Sequence, residues 1–193
     1  MEMNALALLP ALIPLLLLVC AAAGAMIMYN GMVRSRIRTR EAWSGIEVQL
    51  KRRASLIPNL VQTVRGYADH EHAVFAEVAQ ARGALTSAAG PAAAAAADHT
   101  LTQALGRLMA VAENYPQLQA AAGFGQLQSE LEDTEEKVAY ARQFYNQNAL
   151  DYNARIQSFP GNQFARWFHF EPVAFFTADQ SALEEVKVSF TAA

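Results

Sequence analysis

From Ala5 to Met28 the chain reads ALALLPALIPLLLLVCAAAGAMIM, 24 residues without a single charge. As a helix this run would extend about 36 Å, enough to cross a hydrocarbon core of about 30 Å with some tilt. A segment of this kind needs lipid or protein on every face, so the rest of the 193-residue chain has to be organised around an N-terminal anchor. Pro10 and Pro14 lie in its first half, where a local adjustment must satisfy the carbonyls they free. A cleaved signal peptide wants a positive leading region, yet the only charged side chain before the run is Glu2. A lipoprotein site wants a small residue before its cysteine, and Val19 precedes Cys20. The sequence thus predicts an uncleaved transmembrane anchor over residues 1–30. With one cysteine, no intrachain disulfide is available and the redox compartment cannot be read from it.

Charge orients the anchor. Between Gly31 and Arg53 stand seven basic residues, among them the collar Arg34, Arg36, Arg38 and Arg40, against two acidic ones. The positive-inside bias places the C-terminal side of the anchor in the cytoplasm and the short N-terminus outside. Residues 54–193 carry eight basic and fifteen acidic residues, a net of −7. A basic collar beside an acidic body suits membrane lipids with anionic head groups, or simply sets topology. It does not suit nucleic acid, which would need positive charge spread over the folded body.

Hydrophobic spacing then sets the fold class. Trp43, Ile46, Leu50, Ala54, Ile57, Val61, Val64, Ala68, Glu71, Phe75, Val78, Arg82 and Leu85 run in steps of mostly three and four, and only Glu71 and Arg82 are polar. The stripe holds its phase across Pro58, so proline reads as a kink, or as the meeting of two nearly collinear helices near Leu56–Pro58, rather than an end. After Leu85 the alanine-rich stretch 87–98 has no large side chain to anchor it and reads as a loop or connector, partly helical where alanine's helix preference prevails. A second helix is expected from Thr100, where Thr100 and Gln103 fit a capping box. A break is expected around Pro116, Gly123 and Gly125, then a last helix from Leu127 to Ile156 that stops at Pro160-Gly161. The expected architecture is all-α: a transmembrane helix, then an antiparallel bundle of three to four long segments over 31–158. An aromatic C-terminal tail, 159–193, would touch lipid, a neighbour or the bundle's own core.

No catalytic constellation emerges. Asp69 and His72 have a carboxylate–histidine spacing used in bundle metal sites, but no matching second motif exists, so no metal and no cofactor is expected. Asn59, Asn146 and Asn153 stand beside the apolar stripes, where asparagine suggests interhelical hydrogen bonds that fix register. Arg142 is placed to pair with Glu71 if their helices align at that depth. The expected role is a self-associating scaffold; an adaptor that binds a partner through the acidic residues 130–136 is the second reading, and a metal-dependent hydrolase using Asp69, His72 and a bundle carboxylate the third. Ala21 and Ala25, four residues apart in the anchor, permit close helix approach.

The segments LKRRASLIPNLV, GYADHE, ENYPQLQ and LQSELEDTEEKVAYARQFYN, with later YN and FP pairs, resemble the LemA family over roughly residues 29–176. The positions carrying the resemblance are Leu56, Ile57, Pro58, Asn59, Leu60, Gly66, Tyr67, His70, Glu71, Tyr115, Pro116, Glu135, Arg142, Tyr145 and Asn146. It implies a helical bundle anchored in the bacterial inner membrane, without established enzymatic activity, and offers no catalytic role to transfer. By genomic association it also implies membrane-protein partners, a TPM-domain protein or an HtpX-like zinc protease.

Overall fold

The structure, a computed structural model, describes residues 3–177, with side chains from residue 13 onward. Most of the terminal segment TADQSALEEVKVSFTAA therefore lies outside the described residues. Six helices occur in the order α1 (Met3–Arg65), α2 (His72–Ser87), α3 (Gly90–Ala112), α4 (Pro116–Gln119), α5 (Ala122–Gln157) and α6 (Gly161–Trp167). No strand occurs among the described residues. The chain divides into two compact units. Among the described residues, one combines 3–40 with Asn148–Val173, and the other combines Glu41–Gln147 with 174–177.

The second unit is an antiparallel four-helix bundle. The Arg65 guanidinium lies over the Phe75 ring, 5.3 Å from its centroid, where α1 turns back into α2. Arg107 and Glu77 pair at 2.8 Å between α3 and α2, and Arg52 and Asp133 at 3.2 Å between α1 and α5. Ile46, Ile57, Leu60, Val64, Val78, Leu101, Leu108 and Leu118 fill the interior, each essentially without solvent access. Each such side chain contributes roughly 1.5–3 kcal/mol by leaving water. The stripes read from spacing are thus the buried faces.

Three boundaries differ from the sequence reading. α1 continues through Pro58, as the unbroken phase suggests, but ends at Arg65 instead of running on to Leu85. The amides of Tyr67 and Ala68 both close on the Val64 carbonyl at 3.0 Å, which terminates the helix, and GYADHE becomes the turn into α2. The apolar count survives because Ala68 is buried within that turn and Phe75 just after it. The alanine stretch is not a connector: Gly90, at φ 80, and Pro91 start α3 ten residues before Thr100. Alanine is the strongest helix former, and Ala94 and Ala95 are buried because small side chains let neighbouring helices come close. Thr100 accordingly sits inside α3, its hydroxyl donating to the Ala96 carbonyl at 3.0 Å, and caps nothing. Gly123 and Gly125 belong to the first turn of α5, which begins at Ala122.

The first unit holds the apolar part of α1, the end of α5, and α6 with the extended chain after it. Met32, Tyr152, Ile156, Ala165 and Phe170 form its core. The aromatic tail therefore caps protein core at Phe170, while Phe159 and Trp167 remain exposed. From Ile13 to Val19, and again at Met26 and Ile27, the large apolar side chains are more than half exposed, a sleeve that only a non-aqueous surrounding can satisfy. Among the described residues this is the one helix long and apolar enough to cross a membrane.

Gly161 is required by space: a Cβ there would collide with the Arg155 carbonyl and press on Met32 Cε. Gly161→Ala is expected to cost about 1–3 kcal/mol by overpacking. Gly45→Ala, which meets nothing within 4 Å, should be neutral or stabilising. Thermal unfolding of both variants in the same detergent checks the contrast.

Candidate functional site

Proline at position 58 has no N–H to offer the carbonyl four residues back, so Ala54 O loses its helical partner. The structure supplies another: Arg82 Nε, from α2, donates to Ala54 O at 2.8 Å. Arg82 is one of the two polar exceptions in the apolar stripe, and its place there is explained by this bond. Pro58 itself is exposed, as is Asn59, whose side chain is not the interhelical contact expected of it.

One residue before Ala54, Arg53 turns inward, with only 3% of its side chain accessible. A buried guanidinium needs a counter-charge, and Asp98 of α3 provides it at 2.7 Å, with Glu135 of α5 at 3.7 Å. Burial pushes the Asp98 carboxyl above the ordinary carboxylate range, an effect that the Arg53 charge and hydrogen bond only partly oppose. Arg142 lines the same cleft as Asp98 and its charge acts on that carboxyl, rather than forming the ion pair with Glu71 that the sequence suggests. Together Arg53, Asp98, His99, Glu135, Arg142 and Phe176 line a cleft of about 210 Å³. Two guanidinium groups against two carboxylates leave it no preference for either sign of ion. Its chemistry is that of a joint between helices.

The asparagines do a different job from the one their spacing suggests. In the first unit Asn153 Nδ2 donates to the Val173 carbonyl at 2.9 Å, while its Oδ1 accepts from the Val173 amide at 2.9 Å. In the second unit Asn146 does the same for Phe176, donating to the carbonyl at 3.1 Å and accepting from the amide at 2.8 Å. Both pairings reproduce what a neighbouring β-strand would offer, so the register they fix is that of the extended tail. The preceding tyrosines join in: Tyr152 donates to the Glu171 carbonyl at 2.8 Å, Tyr145 to that of Ala174 at 2.7 Å. Tyr–Asn thus acts as a unit, repeated after seven residues on α5 and answered every three residues along the tail. Burial pushes the Tyr145 hydroxyl up to about 12. Burial also raises Tyr152, against the nearby charges of Arg36 and Arg40.

His70 is exposed in the turn before α2, and Glu71 precedes that helix, accepting the Phe75 amide on its carbonyl at 3.3 Å. Within the collar, Arg36 covers the Phe170 ring at 4.9 Å, whereas Arg34, Arg38 and Arg40 are exposed. Sequence reasoning passed over Arg53, Arg82, Asp98 and Arg155; for Arg82 the signal was a charge in a stripe of apolar residues.

Comparison with known proteins gives a LemA family match over residues 42–190. Magnetosome proteins MamQ 1 and MamQ 2 of Paramagnetospirillum magneticum are each 30% identical over 179 residues, covering 79% of this chain and 66% of theirs. MamQ of Magnetospirillum gryphiswaldense is 29% identical over 174 residues, covering 77% and 64%. The chain spans just under two thirds of the length of these relatives.

Arg82→Met should cost about 1–3 kcal/mol by stranding the Ala54 carbonyl. In a Pro58→Ala background the restored N–H takes over that carbonyl, and the same change should cost about 1 kcal/mol less. Urea unfolding of the four proteins closes the cycle. Tyr145 keeps its proton in the folded chain when the unfolded chain has already lost it. Stability should therefore fall as pH rises from the ordinary tyrosine value of 10.0 to about 12. Tyr145→Phe should weaken that alkaline slope and lower stability near neutrality by about 0.5–1.5 kcal/mol, read from unfolding at a series of pH values.

Proposed function

Because the chain belongs to the LemA family, we propose that it is a membrane-anchored, non-enzymatic helical scaffold that self-associates at the cytoplasmic face of the membrane. The observation that carries this reading is apolar surface on the bundle unit, outside the membrane segment. Val48 on α1 and Tyr140 and Phe144 on α5 are 58%, 72% and 53% exposed. Side chains of this size, exposed on a helical face, are the material from which contacts between copies are made. The ionisable groups support a structural role: Arg53 with Asp98 and Glu135, Arg52 with Asp133, and Arg107 with Glu77 each join one helix to another.

Cytoplasmic orientation rests on the seven-to-two excess of basic residues after the apolar run. The adaptor alternative would draw on the carboxylates at 130–136. There Asp133 is engaged by both Arg52 and Lys137, while Glu130 and Glu132 accept from Gln126 and Gln128. The magnetosome designation belongs to the relatives, and the proposal takes no magnetosome role from it.

Mass measurement of the full chain in lipid nanodiscs at micromolar concentration should give more than one copy per assembly. Val48→Asp with Tyr140→Asp should return it to one copy while leaving the helix content unchanged. A wild-type chain found as a monomer would favour the adaptor reading instead, and a pull-down with and without the 130–136 carboxylates would then test it.

A further inference from the structure

We infer that the first unit contains a binding site for the phosphate of an anionic lipid head group, built from Arg34, Arg38 and Arg155 around Ser35. This rests on the membrane-associated reading and is independent of copy number. The three guanidinium side chains, with Ser35 and Gly31, line a cleft of about 170 Å³ that has no carboxylate in its lining. Arg34 and Arg38 stand one turn apart on α1, and Arg155 comes from α5. Asp151, one turn before Arg155 on α5, leaves the local balance positive.

The arms converge for a structural reason. Side chains on a helix lean toward its N-terminus, so those of α1 lean back toward the apolar segment. Those of α5, which runs the other way, lean toward Arg34 and Arg38. Arg155 reaches across to α1: its Nη1 lies 3.4 Å, an ordinary contact distance, from where a Cβ on Gly31 would stand. Guanidinium forks of this kind match phosphate oxygens, where a single lysine would act as a point charge.

Depth supports a lipid source. Ile27, 74% exposed, ends the charge-free sleeve; farther along, Ile37, 55% exposed, stands singly among the arginines. Arg34 comes about 10 Å of helix after Ile27, within reach of a head-group layer roughly 5–7 Å thick once the side chain leans back. An aromatic level lies between them. Tyr29 packs against Phe168 with centroids 4.8 Å apart, and the neighbouring Trp167 is 70% exposed. Tyrosine and tryptophan favour that boundary. The basic collar therefore divides into three jobs: Arg36 covers Phe170, Arg40 stands outside the cleft, and Arg34 and Arg38 join Arg155.

The test is native mass spectrometry of the full chain from mixed phosphatidylglycerol and phosphatidylcholine nanodiscs, scoring the ratio of the two lipids retained. The wild type should favour phosphatidylglycerol. Arg155→Gln should lower the ratio about fivefold, and Arg34→Gln, on the other helix, should do the same, as expected for about 1 kcal/mol per arginine. Arg40→Gln should change it less than about twofold. Equal retention of both lipids by the wild type, or equal losses for Arg40→Gln and Arg155→Gln, would overturn the site in favour of a diffuse collar. Displacement of phosphatidylglycerol by inorganic phosphate in the same buffer would overturn the lipid assignment and leave a soluble-anion site. The copy number in the same spectra reports on the scaffold separately.

Discussion

A guanidinium group cannot be taken out of water without an opposite charge close by, and the bundle unit is arranged around that requirement. Arg53 is buried on α1, and its neutralisation demands that Asp98 of α3 be held at 2.7 Å and Glu135 of α5 be brought nearby. Apolar contacts alone would tolerate sliding of one helix along another, since leucine and alanine stripes match in several registers. A buried charge does not. The neighbouring Ala54 carbonyl, freed by Pro58, adds the same kind of demand on α2 through Arg82. Two adjacent residues of α1 therefore specify where the other three long helices of the unit must lie.

This layer explains why a proline persists inside a helix. Its local effect is the loss of one backbone hydrogen bond, worth about 0.5–1.5 kcal/mol. Its wider effect is to create an acceptor pointing outward from α1, which a second helix can recognise. Ala94 and Ala95 complete the arrangement on the α3 side, where larger residues would hold the backbone away from the polar layer.

Much of the fold, though not this polar layer, was legible in the sequence. The apolar stripe from Trp43 to Leu85 follows a helical period and is the face found buried on α1 and α2, and the helix able to cross a membrane is announced by an uncharged run. The failures have physical causes. A stripe counts apolar residues without sensing the backbone, so it ran through the turn at Gly66–Glu71, where Ala68 is still buried. The alanine tract was discounted for want of large side chains, although small ones are what close helix packing needs there. The asparagines were recognised as structural, but their partner was sought on another helix because an extended tail leaves no periodic mark. Arg155 carried no signal at all: one arginine on a polar helix acquires meaning only when Arg34 and Arg38 are found across from it.

The Tyr–Asn pairs have a consequence for how this chain tolerates change. They grip amides and carbonyls, which every residue but proline possesses, and ignore the side chains of Glu171, Val173 and Ala174. The information that seats the tail is therefore written almost wholly in the helix. Positions along the tail are free to drift over time so long as Phe170, Val173 and Phe176 keep their packed places and no proline arrives at 173 or 176. Homologues with quite dissimilar tails would then wear them in the same groove.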